Sequence, residues 1–166
     1  FAYSEFGRDV LLSQCKNIKF IDVASPAASE SFYNITDKDS HKIEMGISPY
    51  SKIIGTVMRN QKRKLYPDLL SSFRKLLDHV NDENLFLYCH TYYPDVGWEI
   101  PQLIQENGLS SRVLLTYKCR SCKAISADFF QNSIQFCNKC KNFTNQIVGI
   151  SNSITEEELN NIYNVF

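Results

Sequence analysis

The chain has 166 residues, and its 18 basic and 18 acidic side chains give a formal net charge of zero. This balance provides no global field that would favour nucleic acid or a membrane surface as a partner. No stretch approaches the roughly 18 apolar residues of a membrane span, so the sequence predicts no transmembrane segment.

Strand and helix patterns alternate along the chain. Apolar residues recur at helical spacing from Leu69 to Val80, and Thr155 with Glu158 is typical of a capping box. The predicted elements are a helix end at 8–14, a strand at 18–23, a polar surface connection at 34–42, a strand at 52–58, a helix from Pro67 to Val80, a strand at 84–90, a helix at 99–107, a strand at 112–117, a stretch at 146–150 that resumes it, and a helix at 155–163. This order predicts an α/β fold with a Rossmann-like parallel sheet and flanking helices.

Two C-x-x-C pairs interrupt this alternation, Cys119 with Cys122 and Cys137 with Cys140. Each pair can supply two thiolates to a tetrahedral zinc ion, and their spacing predicts a small zinc-ribbon insertion. Four protein ligands close the site, so we expect structural zinc and no catalytic metal. Disulfides are the alternative, and iron also accepts four thiolates.

The other cysteines and two of the histidines predict no site. Cys15 and Cys89 lie in apolar surroundings, which favours buried thiols. A mixture of free and clustered cysteines is typical of a reducing compartment, so a cytoplasmic location is expected. His41 and His79 are predicted to lie on the surface.

A cationic loop follows the strand at 52–58. Four of its six residues are basic, namely Arg59, Lys62, Arg63 and Lys64, and the loop leads into a helix. Ligands of open parallel sheets bind at the carboxyl ends of strands, and helix amino termini attract phosphate, so this loop favours a phosphate site. A solvated helix entry is the alternative. No glycine-rich fingerprint follows any strand, which leaves a dinucleotide site or a Walker loop unsupported.

The order of these pieces resembles a known family. The strand ends in Gly55-Thr-Val-Met-Arg59, Lys64 follows, and a long helix comes next. This is similar to the donor-binding half of retaining glycosyltransferases with the GT-B fold, particularly family four, in which Gly-Arg, four residues, Lys-Gly and a helix follow a strand. Leu65 stands where that family carries the second glycine. Residues 109–113 and 149–163 also resemble the family's later segments.

The resemblance implies a division of the chain into parts of that fold. The implied parts are the end of an acceptor-binding domain with a crossover strand at 1–24, a linker at 25–45, a partial donor-binding domain at 46–118 and 142–166, and the zinc-ribbon insertion at 119–141. In this position the insertion either has a structural or lid role beside the base pocket or only decorates the surface.

The resemblance also implies an activity for the parent protein. That activity is transfer of a sugar, with retention of configuration, from a UDP-type or GDP-type nucleotide sugar to an acceptor that the sequence leaves unidentified. Arg59 and Lys64 would bind the diphosphate and neutralise the leaving group, and His90 and Thr91 are possible donor contacts. The family's acidic motif would follow Phe166, so no catalytic residue is expected here and the chain alone is predicted to be inactive.

Other interpretations remain open at this point. His90 either contacts the donor or packs locally, and Trp98 either stacks on a base or belongs to the packing. A different class of protein is a zinc-containing binding module, with residues 99–118 forming a winged-helix-like unit and the ribbon contacting nucleic acid or protein. The balanced charge and the strand–helix–strand order favour the transferase without a nucleic-acid partner.

Overall fold

The computed structural model describes residues 1–17 and 21–166, which form two compact units, Phe1–Phe32 and Tyr33–Phe166. The first unit contains helix α1 (Glu5–Gln14), in agreement with the predicted helix end. The helix begins at Ser4, because the Oγ of this residue accepts a hydrogen bond from the Gly7 backbone N–H at 3.1 Å.

The predicted strand at 18–23 falls partly outside the described residues. Of the part that is described, Val23 forms an isolated parallel bridge with Ala2. Cys15, which was expected to be buried, is exposed just after α1. That prediction was wrong because the helix ends there and its apolar neighbours do not cover the thiol.

The second unit holds the sheet. Its elements are α2 (Lys38–Glu44), β1 (Lys52–Val57), a 3-10 turn (Lys62–Lys64), α3 (Tyr66–Val80), β2 (Leu85–His90), α4 (Ile100–Glu106), β3 (Val113–Cys119), β4 (Ile125–Phe129), β5 (Ile134–Gln135), β6 (Asn145–Ile147) and α5 (Glu156–Tyr163). Strands β1, β2 and β3 are adjacent and parallel. Strands β4 and β6 pair with β3 in antiparallel fashion, and β5 pairs with β6. The predicted α/β class with a Rossmann-like parallel sheet is confirmed, although the whole sheet is mixed.

Both faces of the sheet are covered because the central strands alternate apolar side chains between them. Leu87 of β2 belongs to a cluster with α3 and α4, whereas Tyr88 belongs to a second cluster with Ile162 of α5. The C-terminal end of the unit also contacts β1, where a Cβ at Gly55 would lie 2.3 Å from the ring of Phe166. Glycine at this position therefore allows the close packing.

The polar stretch at 34–42 is not only a surface connection, since it contains the start of α2. Asp37 begins this helix by accepting a hydrogen bond from the Ser40 N–H at 3.0 Å. His41 is 8% exposed and its Nε2 lies 2.7 Å from the Asn161 carbonyl oxygen, so its predicted surface position was wrong. His79 is exposed as predicted.

Two further expectations concern β3 and its neighbours. Residues 146–150 were expected to resume the strand, but β6 runs antiparallel to β3 because the chain reverses at each cysteine loop and once between them. Residues 99–118 contribute α4 and β3, a strand of the main sheet, and not a winged-helix-like unit. Among the described helices, none has the length and apolarity to cross a membrane.

Candidate functional site

A cavity of about 380 Å³ opens where β1 and β2 end. Its lining residues come from the loops after these two strands and from the start of α5: Val57, Met58, Arg59, His90, Thr91, Tyr92, Ile154, Thr155, Glu156 and Leu159. This volume lies within the range of small-molecule pockets, roughly 300–1,000 Å³. The cavity brings together three of the four residues that the sequence assigned to donor binding.

Arg59 lies at this cavity with its guanidinium held by Asp95. The Nε of Arg59 is 2.8 Å from Asp95 Oδ2, and its Nη2 is 3.1 Å from Oδ1. The Asp95 side chain is only 1% exposed, whereas that of Arg59 is 49% exposed. The hydrogen bonds from Arg59 lower the pKa of Asp95, so this carboxylate stays charged. The pairing fixes one side of the guanidinium, and no hydrogen bond joins Nη1 to a described residue.

A second contact fastens the same two loops together. The side chain of the fully buried Asn60 brackets the backbone of Trp98, since Nδ2 donates to the carbonyl oxygen at 2.7 Å and Oδ1 accepts from the N–H at 2.7 Å. A Cβ at Gly97 would lie 2.6 Å from the backbone of Asn60, so the approach requires glycine. Arg59 is therefore positioned by a locked backbone as well as by Asp95.

His90 and Thr91 contribute buried polar atoms to the cavity. His90 is 7% exposed, and its Nδ1 lies 3.0 Å from Thr116 Oγ1. Burial lowers the pKa of His90 to about 4, so the ring is neutral at neutral pH. Thr91 is 2% exposed, and its Oγ1 has no hydrogen-bond partner within the described ranges. The Tyr66 hydroxyl lies near this Oγ1, which is itself shielded from solvent.

Sequence reasoning missed the opposite wall of the cavity, which residues 154–159 form. Thr155 and Glu158 do form the predicted capping box, with N···O distances of 2.7 and 3.2 Å. The capping box predicted where α5 begins in the sequence. It did not predict that this end of the helix lies beside the carboxyl ends of β1 and β2. Glu156 adds a carboxylate to this wall, and like charges repel. An anionic ligand would therefore lie nearer to Arg59 than to Glu156.

Lys64 lies in the 3-10 turn Lys62–Lys64 and is not among the described residues that line the cavity. Leu65, which follows it, has φ of 46° and ψ of 45°, a left-handed conformation that favours glycine. Trp98 does not line the cavity either, and its ring is covered by Lys62 Nζ at 3.9 Å from the centroid. The packing alternative for Trp98 therefore fits the structure better than base stacking.

The four clustered cysteines converge as the sequence predicted. Their Sγ atoms all lie within 4.8 Å of one another, and Cys119 to Cys140 and Cys122 to Cys137 measure 3.6 and 3.7 Å. Tetrahedral zinc with bonds of 2.3 Å requires ligand separations of about 3.8 Å. The described thiols are free, since a disulfide needs an S–S distance near 2.05 Å. The group therefore fits a metal ion such as zinc.

The two cysteine loops share one backbone design. In each, the residue after the second cysteine has a left-handed φ, 61° at Lys123 and 59° at Lys141. Its N–H donates to the carbonyl oxygen of the first cysteine, at 3.0 Å in one loop and 2.9 Å in the other. The N–H of each first cysteine, Cys119 or Cys137, in turn donates to the carbonyl oxygen five residues later at 2.9 Å.

Hydrogen bonds around Cys119 favour its metal-binding form. Burial alone would raise the pKa of this thiol, but hydrogen bonds that include those from the backbone N–H of Cys122 and the hydroxyl of Thr144 lower it to about 6. A thiolate at this position is the species that coordinates a metal.

The cysteine segment, residues 119–147, is tied to the cavity through the sheet. Cys119 of β3 is paired with Asn145 of β6. Strand β6 leads on to Val148, whose N–H donates to the Thr116 carbonyl oxygen at 3.1 Å. The Val148 carbonyl oxygen in turn accepts from the Tyr93 N–H at 3.1 Å. The chain from the second cysteine loop therefore reaches the wall at 154–159 along a hydrogen-bonded path.

No protein-family model matches the chain, and no curated protein gives a significant match. The resemblance to GT-B glycosyltransferases therefore stays a prediction from the order and spacing of motifs.

Proposed function

We propose that this chain provides the nucleotide-sugar donor site of a retaining glycosyltransferase and binds the diphosphate of a UDP-type or GDP-type donor. The observation that carries the proposal is the cavity at the ends of β1 and β2, which combines a fixed Arg59 with the buried polar atoms of His90 and Thr91. Its position agrees with the general rule that open parallel sheets bind ligands at their carboxyl edge.

The electrostatics of the cavity support a diphosphate as the ligand. Arg59 is the cation at the cavity, and its free Nη1 offers a charge-assisted hydrogen bond to a phosphate oxygen. The neutral His90 and Thr91 complete the wall beside Arg59 without adding a competing charge. In a transfer reaction Arg59 would stabilise the negative charge that develops on the departing nucleoside diphosphate.

The backbone of the cationic turn also supports the proposal. Leu65 occupies a left-handed conformation at the position where the resembled family has glycine. A left-handed residue directly after Lys64 agrees with the glycine that the motif carries at this position. Lys64 would act as a second, more mobile cation for the diphosphate.

The cysteine cluster would support the donor cavity structurally. Four thiolates would hold one zinc ion with no open position, so the ion would join the two cysteine loops and not bind the donor. Through β6 and Val148 the segment would hold the wall at 154–159 in place.

Thermal unfolding with and without nucleotides tests the proposal. UDP or GDP should raise the melting temperature of the chain because ligands that bind only the folded state stabilise it. Arg59→Ala should lower the affinity by about tenfold or more, since a charge-assisted hydrogen bond contributes roughly 1.5–3 kcal/mol. Lys64→Ala tests the second cation separately.

Arg63→Ala is the matched control, because Arg63 is an exposed cation of the same turn that does not line the cavity. It should leave the nucleotide effect unchanged. Equal stabilisation of the wild type and Arg59→Ala by UDP and GDP would remove Arg59 from the site. Stabilisation by duplex DNA, with none by nucleotides, would favour the binding-module alternative.

A further inference from the structure

Two aromatic side chains project from the cysteine segment into solvent. Phe136 is 66% exposed and Phe143 is 56% exposed, and their ring centroids lie 5.1 Å apart at an interplanar angle of 67°. Ile134 is 40% exposed and shares the strand face of Phe136, because the residue between them, Gln135, is buried. These three residues form an apolar patch, here named the ribbon patch, that no described side chain covers.

The ribbon patch is held by the second cysteine loop. Phe136 precedes Cys137, and Phe143 follows Asn142, whose carbonyl oxygen accepts the Cys137 N–H at 2.9 Å. The second cysteine loop therefore fixes both aromatic residues side by side. Such short, hydrogen-bonded loops keep both rings at the surface.

Two cations, Arg120 and Lys141, lie beside the ribbon patch along the backbone, whereas Lys123 and Lys139 line a separate pocket with Glu44 and Glu158. Between residues 119 and 145 the sequence carries Arg120, Lys123, Lys139 and Lys141 but only one carboxylate, Asp128. The backbone N–H of Arg120 donates to the carbonyl oxygen of Thr144, the residue after Phe143. The backbone N–H of Lys141 donates to the carbonyl oxygen of Cys137, the residue after Phe136. None of the four cations forms an ion pair with a described residue.

We infer that the ribbon patch is a docking surface for an anionic phospholipid bilayer. Apolar side chains would enter the headgroup region while the neighbouring Arg120 and Lys141 contact lipid phosphates and carboxylates. This local arrangement is compatible with a net charge of zero for the whole chain, because surface potentials act within about one Debye length, roughly 8–10 Å.

The composition of the patch favours lipid over nucleic acid. Single strands bind by stacking bases on open aromatic faces, but Phe136 and Phe143 pack edge to face against each other. Ile134 adds apolar area that inserts into a bilayer and contributes nothing to base stacking. A second copy of the chain is disfavoured as well, because a symmetric contact would place like cations against each other.

Cosedimentation with lipid vesicles tests the inference. The full chain should bind vesicles that contain about 30% phosphatidylserine in phosphatidylcholine, and binding to phosphatidylcholine alone should be about tenfold weaker. The double variant Phe136→Ser with Phe143→Ser should lose about tenfold or more of this binding. The double variant Arg120→Gln with Lys141→Gln should lower it severalfold and weaken its dependence on salt.

Tyr50→Ser is the matched control, because Tyr50 is 82% exposed in the same unit and lies outside the patch. It should bind as the wild type does. Metal content and melting temperature are measured for every variant, and the charge variant, which leaves both aromatic rings in place, tests the surface even if the aromatic variant fails to fold.

Three outcomes would overturn the inference. The first is absence of vesicle binding, or binding that neither double variant reduces. The second is retention of a single-stranded oligonucleotide that depends on the phenylalanines and occurs without vesicle binding, which would assign the surface to nucleic acid. The third is self-association that depends on the phenylalanines, which would assign it to a second copy.

Discussion

The cysteine cluster and the cavity differ in how the chain assembles them. Each cysteine loop is complete within six residues, and the two loops repeat the same hydrogen bonds and the same left-handed lysine. The cavity instead gathers side chains from positions 57–59, 90–92 and 154–159, which meet only after the sheet has formed. The cysteine cluster, which is built from local turns, should therefore tolerate substitutions in other elements. The cavity depends on every strand and helix that positions its lining residues.

The largest expected effect comes from breaking the local site. Cys137→Ser should abolish stoichiometric metal binding and destabilise the cysteine segment by several kcal/mol, since structural zinc contributes on the order of 10 kcal/mol to small domains. Hydrogen exchange should show lost protection in residues 119–147, while β1 and β2 keep theirs. Metal analysis and exchange mass spectrometry together measure this outcome.

Cys15→Ser is the control for that change, because Cys15 is exposed and outside the cluster. It should retain the metal and the exchange pattern. Loss of exchange protection in β1 and β2 of Cys137→Ser would contradict the prediction. It would show that the cavity and the cysteine segment unfold as one cooperative unit.

A smaller effect should arise at the cavity through His90. Its folded-state pKa of about 4 lies below the ordinary value of 6.5, so between these values the unfolded chain binds more protons than the folded chain. The free energy of unfolding therefore falls as the pH falls through this window. From about pH 7 to about pH 5 the expected loss is roughly 2 kcal/mol.

Urea unfolding of the wild type and His90→Gln at both pH values measures this contribution. The variant lacks the titrating ring, so the wild type should lose about 2 kcal/mol more than the variant does on acidification. The comparison also cancels the pH dependence of metal binding, which both proteins share. An equal loss in both proteins would contradict the burial of a neutral His90.

The smallest effect concerns the turn before α3. Leu65→Gly should raise the free energy of unfolding by about 0.5–1 kcal/mol, because glycine adopts a left-handed backbone without the steric cost that a Cβ imposes. Leu65→Ala keeps the Cβ and should give no such gain. Thermal unfolding compares the two variants, and equal stabilities would show that the backbone of this turn is not strained.

The sequence predicted those features that depend on local spacing. The two C-x-x-C pairs identified all four clustered thiols, and the order of strand and helix patterns placed the three parallel strands to within a few residues. Arg59 was assigned to the site because it directly follows a strand. In each case the information lies within a single turn or element.

The remaining features depend on contacts between distant segments. Asp95 became the partner of Arg59 only through the lock between Asn60 and Trp98, and the wall at 154–159 followed from the antiparallel return of β6. His41 was misplaced for the same reason, since its buried position requires α5 to pack against α2. Spacing along the chain carries no signal for such pairings.

Strand β4 has one more consequence for the molecule. It pairs with β3 from Leu114 to Lys118, so the apolar run of β3 is an interior strand and β4, with Asp128 near its end, forms the border of the sheet on that side. Uncovered, a run such as Val113–Cys119 would be a template for pairing with other chains. The first cysteine loop joins β3 to β4. A change that unfolds this loop should therefore uncover β3 and promote aggregation.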